Sequence, residues 1–126
     1  MKTIFITGAS SGIGKETAKL FSTRGWQVIA TMRNPERGKD LAELPNVVIM
    51  KLDISKPEEI RQTCKEALEK YDIDILFNNA GYGIMGALER IPEDVMRELF
   101  DTDVIGSMLV TQEFIPHFKK RRNGVF

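Results

Sequence analysis

The stretch Thr7-Gly8-Ala9-Ser10-Ser11-Gly12-Ile13-Gly14 sets three glycines among small hydroxyl residues, after an apolar run and before a helical pattern. That order describes a strand, a tight turn and a helix N-terminus. Such a helix end offers unpaired backbone N–H groups and the positive pole of the helix dipole, which suits an anionic ligand such as a pyrophosphate. Gly8 and Gly12 let the backbone turn and approach phosphates, and Gly14 lets the helix pack close to the strand. Gly14-Lys15 looks like the end of a nucleoside-triphosphate loop. That loop, however, needs a glycine where Ala9 stands and a Ser or Thr where Glu16 stands. The chemistry expected is dinucleotide binding.

Three further groups stand at the ends of apolar runs: Arg33, the pair Asp53-Ile54, and Asn79-Ala80-Gly81. No metal site is expected, because the chain has a single cysteine, Cys64, and a single histidine, His117. One cysteine also excludes an intramolecular disulfide and fits a reducing cytoplasm.

The elements that must position these residues follow in order. A first strand is predicted over 2–7. A helix then runs from Ile13 to a cap at Gly25, with Ile13, Thr17, Leu20 and Phe21 on its apolar face. Trp26 to Met32 is a second strand. Asn34-Pro35-Glu36 opens a short helix that ends near Leu44. Asn46 to Met50 is a third strand, whose unbroken apolar run suits a sheet covered on both faces. Ser55 and Glu58 have capping-box spacing ahead of a helix with Ile60, Cys64, Ala67 and Leu68 on one stripe, which makes Cys64 a core residue. Asp74 to Asn78 is a fourth strand. A long helix follows from about Pro92 to Asn123-Gly124, with Pro116 bending it or marking its late part. Val125-Phe126 begins another strand.

Alternating strands and helices with short loops give an α/β, Rossmann-like parallel sheet of order 3-2-1-4, with the start of strand 5 at Val125-Phe126 and helices on both faces. The ligand belongs at the carboxyl ends of strands 1 and 4, where that order reverses. One C-terminally incomplete dinucleotide-binding domain over residues 1–126 is the expected organisation.

The chain is 42% hydrophobic and 29% charged with a formal net charge of +0, so it reads as globular and shows no broad polyanion-binding face. The one basic run, Lys119-Lys120-Arg121-Arg122, reads as a solvated helix C-terminus, and no nucleic-acid partner is expected. No apolar run is long enough to span a membrane and no leader pattern opens the chain, so a soluble cytoplasmic protein is expected.

On these residues the sequence resembles the short-chain dehydrogenases/reductases. Thr7-Gly8 through Gly12-Ile13-Gly14 looks like that family's cofactor loop, and Asn78-Asn79-Ala80-Gly81 looks like its second signature at the end of strand four. Asp53-Ile54 is similar to the pair that contacts the adenine. The resemblance covers the whole chain and about the first half of the family's fold. It implies a cofactor site made of Gly8, Ser10, Ser11, Gly12, Ile13, Gly14, Arg33, Asp53, Ile54, Asn79, Ala80 and Gly81. Strand two ends in Thr31-Met32 with no acid to bind a ribose 2′-OH, and Arg33 follows, able to pair with a 2′-phosphate. NADP(H) is therefore favoured over NAD(H).

The family's acid–base chemistry uses a serine and a Tyr-x-x-x-Lys pair. Four residues after Tyr71 stands Ile75, and four after Tyr82 stands Gly86, so this sequence holds no such pair. Asp103 stands where the family has an active-site asparagine; it reads as variation or a lapse of constraint, the alternative being a carboxyl kept neutral by burial. The expected function is the NAD(P)(H)-binding portion of an oxidoreductase acting on alcohols or carbonyls, inactive alone. A non-catalytic NADP(H)-binding or sensor module and a structural remnant are the alternatives. Self-association is expected through the helix near 92–118 or an exposed sheet edge.

Overall fold

The computed structural model describes residues Met1–Phe126. Four strands, β1 (Thr3–Ile6), β2 (Gln27–Met32), β3 (Val47–Lys51) and β4 (Ile75–Phe77), form one sheet in the order β3-β2-β1-β4, and every pairing is parallel. Val125 adds a single parallel bridge to Ile75, through Leu76 N–H to Val125 O at 2.9 Å and Val125 N–H to Asp74 O at 3.1 Å. The expected order and the start of a further strand are both present.

β1 is central, and its four residues are all buried. The two-residue side-chain period of a strand sends alternate residues to opposite faces. Phe5 enters one core with Ile29, Leu76, Ile60 and Cys64, against α3 (Pro57–Lys70) and α5 (Ser107–Arg121). Ile4 and Ile6 enter the other with Val28, Ala30, Ala18 and Leu41, against α1 (Gly12–Thr23) and α2 (Lys39–Ala42). Cys64 is a core residue as expected; burial, then Glu113, pushes its thiol up to about 12, which leaves it protonated and inert.

Several local expectations need correction. α1 buries Gly14, Ala18 and Ser22, whereas Ile13 is 73% exposed and Leu20 is also exposed. Small residues win that face because the helix approaches the sheet closely there. β3 is an edge strand and only half-buried, so its apolar run does not mean cover on both sides. Ser55 does not cap α3. Pro57 occupies the first turn and holds the preceding Lys56 extended, at φ −113 and ψ 100, so Lys56 takes the cap position and the helix starts one residue too late for Ser55 to act as its cap.

The long C-terminal helix is continuous but changes pitch. α4 (Glu93–Phe100) passes into a π-helical stretch, Asp101–Gly106, and then into α5. Pro116 lies inside α5 and marks its late part. The basic run is not wholly solvated. Arg121 reaches back to the start of β4, pairing with Asp74 Oδ1 at 2.7 Å and Asp72 Oδ1 at 2.9 Å and donating to the Ile73 carbonyl. No helix is long and apolar enough to cross a membrane.

Candidate dinucleotide site

Parallel strands deliver their carboxyl ends to one side of the sheet, so four loops converge there. They border a cleft of about 500 Å³. Gly8, Ser10, Ser11, Gly12 and Ile13 come from the loop after β1, and Met32 and Arg33 from the end of β2. Asp53, Ile54 and Ser55 come from the loop after β3, and Asn79, Ala80, Gly81 and Tyr82 from the turn after β4. Of the twelve residues singled out from the sequence, eleven line this cleft. The twelfth, Gly14, lies behind it.

The first loop is built for close approach. Gly8 has φ +66, and a Cβ there would stand 2.7 Å from Ala80 Cα. A Cβ on Gly14 would stand 2.5 Å from both Asn79 Nδ2 and the Gly8 carbonyl. Gly14 thus packs against the fourth loop as well as its own strand. No side chain caps α1, and its first turn holds no acid, so its N-terminal N–H groups and dipole face the cleft uncompensated. These are the features a pyrophosphate needs, and the glycine cradle leaves the room that a Cβ would fill.

The first and fourth loops are joined by hydrogen bonds. Thr7 Oγ1 accepts the N–H of Asn79 and of Ala80, each at 3.0 Å. Asn79 Nδ2 donates to the carbonyls of Thr7 and Gly8, each at 3.1 Å. The third loop is held by its own acid. Asp53 Oδ1 accepts Ser55 Oγ–H at 2.6 Å and Ser55 N–H at 3.0 Å, and Glu59 Oε1 accepts Asp53 N–H at 2.9 Å. Burial opposes ionisation of Asp53, but the Ser55 hydrogen bonds and the nearby Arg33 and Lys56 cations outweigh it and hold the carboxyl below its ordinary value.

Asp103 is half-buried and has a definite partner: its Oδ1 accepts the N–H of Tyr82 at 3.0 Å. The acid therefore holds the turn after β4, a task that needs an acceptor oxygen and no amide donor.

Sequence reasoning overlooked seven cleft residues: Met32, Arg37, Leu52, Ser55, Tyr82, Glu98 and Thr102. Arg37 lies in a 3-10 turn, Pro35–Gly38, directly after Arg33, so two guanidinium groups stand on one wall. Glu98 also lines the cleft. Burial, then the Glu98 and Asp103 carboxylates, raises the Tyr82 phenol, with Arg33 opposing. Glu98 and Thr102 are four residues apart on the long helix, a spacing that signals one face but not which way it points.

A family model of short chain dehydrogenases matches residues 2–126. The chain is 32% identical to retinol dehydrogenase 8 of Bos taurus over 134 residues, covering 98% of this chain and 42% of that protein. Among solved structures, a short-chain dehydrogenase from Streptomyces avermitilis superposes with a TM-score of 0.93 at 34% identity, covering 98% of this chain and 47% of the other. An alcohol dehydrogenase from Thermococcus sibiricus, complexed with 5-hydroxy-NADP, superposes with a TM-score of 0.92 at 29% identity, covering 99% and 56%. The chain thus spans less than two thirds of the length of each of these relatives.

Proposed function

The chain belongs to the short-chain dehydrogenase/reductase family, and from that premise we propose that it is the NADP(H)-binding portion of an oxidoreductase acting on an alcohol or carbonyl. The observation that carries this reading is the cleft that joins an uncapped helix N-terminus to the Arg33–Arg37 wall. The N–H groups at the start of α1, with Ser10 and Ser11 beside them, are placed to hold a pyrophosphate. In this reading Asp53 and Ile54, which line the same cleft, hold the adenine, and Asn79, Ala80 and Gly81 complete the cofactor site. Arg33 and Arg37 are exposed cations without a carboxylate partner, free to bind a 2′-phosphate by charge-assisted hydrogen bonds. When bound, the nicotinamide supplies or accepts the hydride.

Calorimetric titration of the 126-residue chain with NADPH and NADH tests the reading. Tighter binding of NADPH supports it, and Arg33→Ala should remove most of that preference, about tenfold or more. Equal affinity for the two, or no binding of either, would sink it.

The same chain is proposed to bind without turnover, because the sequence holds no Tyr-x-x-x-Lys pair. Carbonyl-dependent NADPH oxidation by the purified chain would overturn the claim of inactivity. A cytoplasmic setting fits the single buried thiol. Self-association through the exposed apolar stripe of the long helix completes the proposal.

A further inference from the structure

Arg37 lies in a short segment with few means of holding its own position. The 3-10 turn Pro35–Gly38 and α2 together span eight residues, and neither has a side-chain cap. Two apolar contacts seat the segment on the sheet. Leu41 is buried, and Gly38 lies so close to Met32 that a Cβ would stand 2.8 Å from its sulfur. Such contacts fix a segment's height above the sheet, but they are non-directional and hold it weakly against sliding.

One directional contact supplies that hold. Lys15 Nζ lies 2.6 Å from Asp40 Oδ2, and this is the one ion pair in the molecule that joins two helices. Lys15 is in the first turns of α1, next to Gly14 of the phosphate cradle. Asp40 is in α2, three residues after Arg37. The hydrogen bond from Lys15, then its charge acting against desolvation, holds the Asp40 carboxyl below its ordinary value. The pair therefore spans from the element that would grip the pyrophosphate to the element that carries Arg37.

We propose that Lys15 and Asp40 are positioning residues that set the distance from the phosphate cradle to Arg37, and so set part of the preference for a 2′-phosphorylated dinucleotide. The inference rests on the reading of Arg33 and Arg37 given above. A rival role for Lys15, as a direct ligand of the 2′-phosphate restrained by Asp40, makes the opposite prediction for Asp40. Neutralising Asp40 would then free the lysine and strengthen NADPH binding.

The experiment is calorimetric titration of the full chain with NADPH and with NADH, for wild type, Lys15→Met, Asp40→Asn and the charge-swapped pair Lys15→Glu with Asp40→Lys. Both dinucleotides carry the pyrophosphate, so the ratio of their affinities cancels any change in the cradle itself. Each neutral variant should lower the NADPH-to-NADH ratio by about two- to fivefold, the range of a partly exposed ion pair, with NADH affinity unchanged. The swapped pair should restore the ratio. A ratio that rises in Asp40→Asn, or stays at the wild-type value in both neutral variants, overturns the tether alone. A wild-type chain without NADPH preference overturns both the tether and the reading beneath it.

Discussion

Thr7 and Asn79 hold each other through hydrogen bonds that run in both directions: the Thr7 hydroxyl accepts the Asn79 N–H at 3.0 Å, and the Asn79 amide donates to the Thr7 carbonyl at 3.1 Å. The two residues end neighbouring strands, β1 and β4, at the point where the strand order reverses. A cleft at that point tends to splay its walls, because the chain leaves the two strands in opposite directions. This exchange closes the walls together.

The Thr7 hydroxyl also accepts the Ala80 N–H, and Thr7 is buried. Thr7→Val keeps the shape but leaves two backbone N–H groups without an acceptor, at a cost of about 1–3 kcal/mol each where water cannot reach them. Urea unfolding should show a loss of at least that size for one group, and Thr7→Ser should recover most of it. A Thr7→Val chain as stable as wild type would mean that these bonds do not hold the cleft.

Gly8 and Gly14 tie the same loops by close approach. Gly8→Ala places a methyl 2.7 Å from Ala80 Cα at a backbone φ of +66, and Gly14→Ala places one 2.5 Å from Asn79 Nδ2. Ala80 Cα is backbone, and the methyl on residue 14 would also stand 2.5 Å from the backbone carbonyl of Gly8, so the loops must move apart. Both variants should lose dinucleotide binding in calorimetry, with a stability loss of about 1–3 kcal/mol from overpacking. Wild-type affinity in either variant would contradict the geometry.

The sheet was legible in the sequence because its strands read as apolar runs closed by glycine or polar turns, as Ile4 to Ile6 and Ile75 to Phe77 do. The cleft followed from order alone, since the ends of parallel strands must meet on one side. What escaped was decided by contacts between distant residues. Ile13 and Leu20 have helical spacing, but the buried face is chosen by where Gly14 meets Asn79. Arg121 looked like one more solvated cation until the fold brought Asp72 and Asp74 beside it. The π-helical stretch changes which side chains of the long helix face the cleft, and its sequence, Asp101 to Gly106, carries only a closing glycine, which does not announce a change of pitch.

Asp74 makes the fold sensitive to acid. Burial opposes its ionisation, but the Arg121 hydrogen bond, the Thr3 N–H and the Lys2 charge outweigh it and keep the carboxyl below its ordinary 3.8. A group depressed on folding contributes stability that is complete above its unfolded value and lost as pH falls through the folded one. Wild-type stability should therefore fall on acidification below 3.8 more steeply than that of Asp74→Asn, which never had this contribution. At about pH 7 the variant should be the less stable of the two, and the gap should narrow toward about pH 3. Urea midpoints across that range check the sign, and parallel curves would rule out Asp74 as the source.

The long helix presents a second apolar face. Val110, Phe114 and Phe118 point into the core, while Phe100, Val104 and Met108 follow at four-residue intervals and stay exposed at 60%, 41% and 59%. Ile105 and Ile115 widen this stripe. A contiguous apolar surface of this kind is favourable to remove from water at about 25 cal/mol per Å², and a second copy of the same stripe offers matching ridges. In sedimentation equilibrium the chain should run heavier than a monomer at micromolar concentration. Phe100→Glu combined with Met108→Glu should return it to a monomer, because two copies would bring like charges together in an apolar seam. Both positions lie outside the core clusters, so the double variant should keep its unfolding midpoint. A wild-type chain that is monodisperse and monomeric would remove this face as a site of assembly.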